Sequence, residues 1–248
     1  MAKQRNIRLY LDTKLQENAV VSLSSDDSHY LCNVMRCVNG NQIKCFNEND
    51  GEFLCEITNS NKKQTMLSVK NKLRLPNPEA DVWLIFAPLK KDKTDFVIEK
   101  AVELGVSKII PVYTEYTNLS QIKTDRFRAQ AKEASEQCER LSVPEIASPL
   151  KLDELLNGWD ASRQLFFMDE RRNGASVIEN FTKSQGKPCA LLIGPEGGFS
   201  ENETQKLNSQ AFVKNICLGP RILRAETAAV AALAVWQATA GDWHNKEK

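Results

Sequence analysis

Apolar and polar positions alternate over short runs in the first 75 residues, and turn residues separate these runs. Alternation with a period of two predicts half-buried β-strands, and the Asn-Asp-Gly tripeptide at 49–51 predicts a tight hairpin between two of them. Residues 26–38 differ, because Tyr30, Val34 and Cys37 or Val38 recur there at helical spacing. We therefore expect a small β-barrel or sandwich that contains one helix.

The pattern changes after residue 80, where apolar runs alternate with amphipathic segments. The predicted helices cover about 94–105, 124–140, 175–183, 201–209 and 225–240, and the predicted strands cover 82–87, 109–113, 164–168, 189–193 and 213–218. This order is typical of a parallel sheet with helices on both faces, so the predicted fold class is α/β. Residues 74–80 contain two prolines and no periodicity, which predicts a linker between domains at 1–73 and 81–248.

The composition excludes several classes of protein. Hydrophobic residues make up 42% of the 248 positions, which is enough for a core, yet no run reaches the roughly 18 apolar residues of a membrane span. The start lacks the apolar region of a signal peptide, so we expect a cytoplasmic protein. Seven cysteines without a C-x-x-C pair argue against a disulfide framework and a zinc ribbon. Two histidines leave little material for metal catalysis, and we expect no metal.

The first segment with candidate chemistry is Leu191–Phe199, where a predicted strand leads into a Gly-Pro-Glu-Gly-Gly turn. Ser200 and Glu203 form the pattern of a capping box, which marks the start of the next helix. Ligands of a parallel sheet bind beyond the carboxyl ends of its strands, so a ligand is expected at this turn. The motifs of a phosphate loop and of a dinucleotide site are absent, and a plain tight turn is an equally open interpretation.

The second segment, Cys217–Ala228, has the same order of strand, loop and helix. Arg221 and Arg224 stand three residues apart in this loop, where cations suit an anionic partner. The helix that follows is apolar on nearly all sides. Such a helix is predicted to be buried, in the core or at a subunit interface.

With four further motifs, these segments resemble the bacterial family of 16S ribosomal RNA uridine-N3-methyltransferases, within the SPOUT superfamily. The resemblance runs nearly end to end. It is carried by LIGPEGG at 192–198, LGPRILRAETA at 218–228, HYLCNVMR at 29–36, KKDK at 90–93, EKAVELGV at 99–106 and EASEQCER at 133–140. Met35 stands where leucine is usual in the family, and this departure changes neither charge nor spacing.

The resemblance implies an N-terminal PUA-like β-barrel that binds RNA and a C-terminal SPOUT domain with a parallel sheet and a trefoil knot, an exception to the rule against threaded chains. It also implies a homodimer and the cofactor S-adenosylmethionine, bound in the knot. The implied cofactor-binding residues lie at the ends of three strands and in the loops after them: Phe167, Met168, Gly194, Pro195, Glu196, Gly197, Gly198, Leu218, Gly219, Ile222, Leu223 and Thr227.

The implied activity is methylation of N3 of a specific uridine in 16S ribosomal RNA, either free or in the assembled small subunit. The N3 proton must leave, and the resulting charge spreads onto O2 and O4 of the base. Because N3 lies on the pairing edge, the base must be unpaired or extruded. Arg224 is the first candidate for stabilising that charge and Arg221 is the second. Glu226 either accepts a proton or holds an arginine, and we favour the second role.

Basic residues of the N-terminal region are the candidate RNA contacts. Residues 1–75 hold 11 Lys and Arg against 8 Asp and Glu, a mild excess that is compatible with nucleic acid. Ordinary solvated charge is an equally open interpretation for any one of them. The predicted set, with cations from elsewhere in the chain, is Arg5, Arg8, His29, Arg36, Lys44, Lys90, Lys91, Lys93 and Arg140.

Three other functions stay open. A 2′-O-ribose RNA methyltransferase of the same superfamily is disfavoured by the barrel-first order, and a non-enzymatic RNA-binding protein is disfavoured because both loops are intact. A generic nucleotide-binding protein is disfavoured because phosphate-binding motifs are absent. Cofactor binding separates the enzymes from the binding protein, and the position of the methyl group separates the two enzymes.

Overall fold

The computed structural model describes residues 6–117, 122–171 and 174–244, and the chain divides into two compact units. The N-terminal unit comprises Met1–Pro78 together with Ser135–Val143, and the C-terminal unit comprises Glu79–Ala134 together with Pro144–Lys248. The boundary therefore falls within the predicted linker. The prediction of one uninterrupted domain over 81–248 missed Ser135–Val143, which belongs to the N-terminal unit.

The N-terminal unit is built on a five-stranded sheet. Its strands are β1 (Arg8–Tyr10), β2 (Val20–Ser22), β3 (Gln42–Asn47), β4 (Gly51–Asn59) and β5 (Met66–Arg74), in the order β1-β3-β4-β5-β2. Strand β1 is parallel to β3, and the other pairs are antiparallel. The predicted hairpin is confirmed between β3 and β4, where the Asn47 side chain accepts hydrogen bonds from the backbone N–H groups of Asn49 and Asp50. Alternate strand residues fill one core, which includes Leu9, Ile43, Phe53 and Leu67.

The helix predicted over 26–38 is shorter and faces differently. Helix α1 spans Ser25–His29 and continues into one π-helical turn, Tyr30–Val34. Leu31 is the buried residue of that turn, whereas Val34 and Val38 are exposed. Cys37 is buried and Tyr30 packs against the core, so the predicted apolar face is correct at these two positions and wrong at Val34. The physical cause of the difference is local: the wider turn changes the spacing, and Arg36 has a φ of 55°, which ends the helical path.

The C-terminal unit contains a parallel sheet. Its strands follow the order β11-β13-β10-β12-β6-β7-β8, with β9 paired to β7. Every pairing among the described residues of this unit is parallel. The ranges are β6 (Val82–Phe86), β7 (Lys108–Tyr113), β8 (Glu145–Ile146), β9 (Leu150–Lys151), β10 (Gln164–Met168), β11 (Ala175–Ser176), β12 (Cys189–Ile193) and β13 (Val213–Cys217).

Five helices of the described chain connect these strands, and a sixth follows β13: α2 (Lys91–Glu103), α3 (Thr124–Gln137), α4 (Leu152–Asn157), α5 (Val177–Thr182), α6 (Glu201–Asn208) and, last, α7 (Ala225–Thr239). The five predicted strands lie within one residue of their predicted bounds and the five predicted helices within three. Residues of β12 are all buried, as expected for a central parallel strand. The predicted capping box of α6 is confirmed, with Ser200 and Glu203 bonded reciprocally.

Candidate active site

Three loops meet at one edge of the parallel sheet. Strands β13, β10 and β12 are neighbours, and they end at Cys217, Met168 and Ile193. Since parallel strands share their direction, the loops after them emerge side by side, at the edge where α/β proteins bind ligands. They border a cavity of about 350 Å³, within the range of small-molecule sites.

Most of the predicted cofactor residues line this cavity. They are Met168, Gly194, Pro195, Glu196, Gly198, Leu218, Ile222 and Leu223, joined by both predicted catalytic arginines, Arg221 and Arg224. Four predicted residues are not part of the lining: Phe167, Gly197, Gly219 and Thr227. Phe167 is fully buried in the core, with its ring edge-on to Phe199 at 5.0 Å between centroids. Thr227 is on an exposed face of α7.

Two glycines shape the loop after β12. A Cβ atom on Gly194 would lie 2.6 Å from the ring of Phe199, so the backbone and the ring can meet only without a side chain. Gly198 has a φ of 72°, and its N–H donates to the carbonyl of Pro195 at 3.0 Å. That left-handed turn costs glycine little. These two glycines therefore fix the shape of the loop that borders the cavity.

Acidic residues on the loop after β10 complete the lining. Asp169 and Glu170 both border the cavity, and Asp169 is buried, with Oδ1 accepting from the Arg171 N–H at 3.0 Å. Sequence reasoning stopped at Met168 and missed them. The available signal was their position directly after a buried parallel strand. Carboxylates beside apolar side chains suit a ligand with a positive charge or hydroxyl groups.

Among the described residues Glu226 pairs with Lys93 and not with an arginine, contrary to the role that we favoured from the sequence. Its Oε1 lies 3.6 Å from Nζ of Lys93, which also lies 3.4 Å from Oε1 of Glu196. Lys93 was predicted as an RNA contact, and the structure places it in the cavity lining. Arg221 and Arg224 are exposed residues of the second loop, and Arg224 is the N-cap of α7.

Arg8 and Arg140 were predicted to contact RNA, and both are buried inside the N-terminal unit. Arg8 donates to Glu52 at 2.7 Å and to the carbonyls of Ser135, Glu136 and Arg140, and its guanidinium stacks on a phenylalanine ring. All nitrogen atoms of Arg8 are engaged, and the buried Arg140 donates to the Ser142 hydroxyl, so these two predictions are wrong. The sequence gives the charge of an arginine but not its partners.

The other predicted RNA contacts are distributed over the surface. His29 ends α1, Arg36 follows the π-helical turn, and both are exposed; Lys44 on β3 is half-buried. Lys90 and Lys91, at the start of α2, are exposed. Arg5 lies outside the described residues. Non-glycine residues held at positive φ are enriched at functional sites, and Arg36 is such a residue.

Within the described ranges, no three His, Cys, Asp or Glu residues are grouped so that they could hold a metal ion. A search of the same residues finds no helix with the length and apolar character needed to cross a membrane. Burial raises the pKa of the Cys189 thiol to about 12. This cysteine is therefore a packing residue of β12 and not a nucleophile.

Two family models match the chain. One, described as an RNA methyltransferase domain, matches residues 76–237. The other, described as an RNA methyltransferase PUA domain, matches residues 23–65. The two matches fall mainly in different units, the first in the C-terminal unit and the second in the N-terminal unit.

Curated and solved proteins agree with these models. Ribosomal RNA small subunit methyltransferase E of Rickettsia conorii is 32% identical over 92% of this chain and 93% of that protein. A putative methyltransferase of Legionella pneumophila, solved with its cofactor SAM, has a TM-score of 0.84 at 30% identity and covers 96% of this chain and 99% of that one. The ribosomal RNA small subunit methyltransferase E of Neisseria gonorrhoeae, bound to S-adenosyl methionine, has a TM-score of 0.83 at 27% identity. That match covers 96% of this chain and 100% of that one.

Proposed function

The chain belongs to the RNA methyltransferase family, with the small-subunit methyltransferase E proteins among its relatives, and we propose that it methylates N3 of a specific uridine in 16S ribosomal RNA with S-adenosylmethionine. The observation that carries the proposal is the cavity at the ends of β10, β12 and β13. Solved relatives with the same fold were crystallised with this cofactor. A ribosomal substrate agrees with the cytoplasmic location expected from the sequence.

The residues of the cavity fit S-adenosylmethionine. Ile193, Leu218 and Leu223 supply apolar surface for an adenine ring, and Gly194 and Gly198 bring the loop after β12 to the same cavity. Asp169 and Glu170 supply negative charge for a cationic ligand. When bound, the cofactor supplies an electrophilic methyl group on a sulfonium.

Arg224 and Arg221 are the proposed catalytic residues. Both border the cavity and are exposed enough to reach a nucleotide that enters it. Their guanidinium groups would donate to O2 or O4 of the uracil as N3 loses its proton. Glu226 is assigned to positioning, since its carboxylate pairs with Lys93 instead.

The N-terminal unit is proposed to bind the RNA around the target base. Its match to a PUA domain begins at residue 23 and includes the exposed His29 and Arg36. N3 takes part in base pairing, so the uridine must be unpaired or turned out of its stack to reach the cavity.

The proposal includes the trefoil knot that the family resemblance implies, and it also includes a homodimer. On α7, Val230, Ala231, Ala234 and Val235 form a partly exposed apolar stripe, as expected where a second subunit packs. Light scattering after size exclusion should give twice the 27.9 kDa mass of one chain. A mass of one chain would contradict the dimer.

The test is transfer of labelled methyl groups to small ribosomal subunits from a strain that lacks the modification. We expect label in 16S RNA and none in large subunits. Arg224→Ala should lower kcat about 100-fold, because an interaction that stabilises developing charge is lost. Arg128→Ala is the matched control, since Arg128 pairs with Asp125 on α3 and is not part of the cavity lining. Label in large subunits, or none at all, would contradict the proposal.

A further inference from the structure

One lysine contacts both the loop after β12 and the end of the loop after β13, which are called the two cofactor loops below. Lys93 lies in the first turn of α2, and its ammonium contacts Glu196 at 3.4 Å and Glu226 at 3.6 Å. Glu196 belongs to the loop after β12, whereas Glu226 lies at the start of α7, directly after the loop that follows β13. A single cation therefore stands between carboxylates of two separate segments at the cavity.

The most buried member of this cluster is the carboxylate of Glu226. The side chains of Lys93, Glu196 and Glu226 are 30%, 34% and 16% exposed. Glu226 Oε2 is buried, and no described residue gives it a hydrogen bond. A carboxylate in such a place is costly unless a cation stands nearby. Without Lys93, the two carboxylates would also repel each other.

We propose that Lys93 is a positioning residue that fixes the two cofactor loops against each other, and that it is not an RNA contact. The proposal rests on the proposed function for the identity of the ligand, S-adenosylmethionine. Because Lys93 lines the cavity while Glu196 and Glu226 hold it, loss of its charge loosens both loops and weakens cofactor binding.

The same helix offers a matched control. Lys100 is also 30% exposed, and its Nζ also contacts two carboxylates, Glu99 at 2.7 Å and Glu103 at 2.8 Å. All three residues lie within α2 and none lines the cavity. Lys100→Met therefore removes a doubly paired lysine without affecting a link between loops.

The first measurement is the Kd for S-adenosylmethionine by titration calorimetry. Lys93→Met is expected to raise it about tenfold, the size of a lost interaction between charged groups, while Lys93→Arg restores most of the affinity. Lys100→Met should stay within about twofold of wild type. The double variant Lys93→Met/Glu226→Gln should lose less affinity than the sum of the two single variants, because both substitutions remove the same ion pair. KM for the cofactor should change more than kcat.

The second measurement needs no cofactor. The Gly198 amide donates to the Pro195 carbonyl within the loop that Glu196 anchors. In the cofactor-free protein, hydrogen exchange at Gly198 should be about tenfold faster in Lys93→Met than in wild type or Lys100→Met.

Two results would overturn the proposal. One is weaker binding of a 16S RNA fragment by Lys93→Met, with cofactor affinity and Gly198 exchange unchanged, which would make Lys93 an RNA contact. The other is a Lys93→Met variant whose RNA binding, cofactor affinity and Gly198 exchange all equal those of wild type. If the wild-type protein binds no S-adenosylmethionine, the proposed function fails, and Gly198 exchange still decides whether Lys93 fixes the loops.

Discussion

The surroundings of Arg8, and not its charge, determine the role of this side chain. It was predicted to contact RNA because it is a cation in a basic region, yet it is 4% exposed and donates to one carboxylate and three carbonyls. Three of those acceptors lie in Ser135–Val143, more than 120 residues away in the chain. Periodicity reports which face of an element is buried, but it carries no information about such distant partners.

Arg8→Ala should destabilise the protein by about 3–5 kcal/mol, because Glu52 would be left buried without its cation. Urea unfolding measures this loss. The matched control is Lys70→Ala, which removes the exposed ion pair of Lys70 with Glu56 on neighbouring strands of the same unit. That change should cost less than about 1 kcal/mol. If Arg8→Ala lost no more unfolding free energy than Lys70→Ala, the stabilising role of the Arg8 hydrogen bonds would be contradicted.

Tyr10 provides a pH-dependent test of the same strand. Burial, followed by the charges of Glu48 and Asp12, raises its pKa to about 12, above the value of about 10 in an unfolded chain. The unfolded state therefore ionises first, so stability is lost as the pH rises from about 10 towards 12. Between about pH 9 and about pH 11, Tyr10→Phe should lose less unfolding free energy than wild type. An equal loss would contradict the shift.

The elements of the C-terminal unit follow from the sequence because buried parallel strands are apolar throughout and α/β helices lie between them. The loops were also placed well, since strand ends share one edge of the sheet. Short elements were missed: α4 covers only Leu152–Asn157, too few residues for a periodicity. The turn Tyr30–Val34 was misassigned because a π-helix does not follow the spacing of an α-helix.

Gly194→Ala tests the loop after β12. The added Cβ would meet the ring of Phe199, which packs on Phe167 in the core and has little room to move. We expect cofactor affinity to fall about tenfold or more, from the cost of overpacking. Gly158→Ala is the control, because its Cβ would find only one ordinary contact at 3.4 Å, far along the chain from the cavity loops. Calorimetric titration with S-adenosylmethionine compares the two.

The whole chain joins a PUA-like N-terminal unit to an RNA methyltransferase domain. The sequence predicted domains at 1–73 and 81–248 with a linker at 74–80, because the hydrophobic period changes there. It could not predict that Ser135–Val143 belongs to the N-terminal unit. Helix α3 has one continuous amphipathic pattern, and its last turn is held by hydrogen bonds to Arg8 and by the Glu136 carboxylate that accepts from the Tyr10 N–H.

The central claim is that this molecule methylates a uridine of small-subunit RNA at N3. Its most direct test is mass analysis of the nucleosides from small subunits that the purified protein has treated with labelled S-adenosylmethionine. We predict that the label appears in 3-methyluridine and that Arg224→Ala removes most of it. Label in a 2′-O-methyl nucleoside, or binding of RNA without any transfer, would contradict the account.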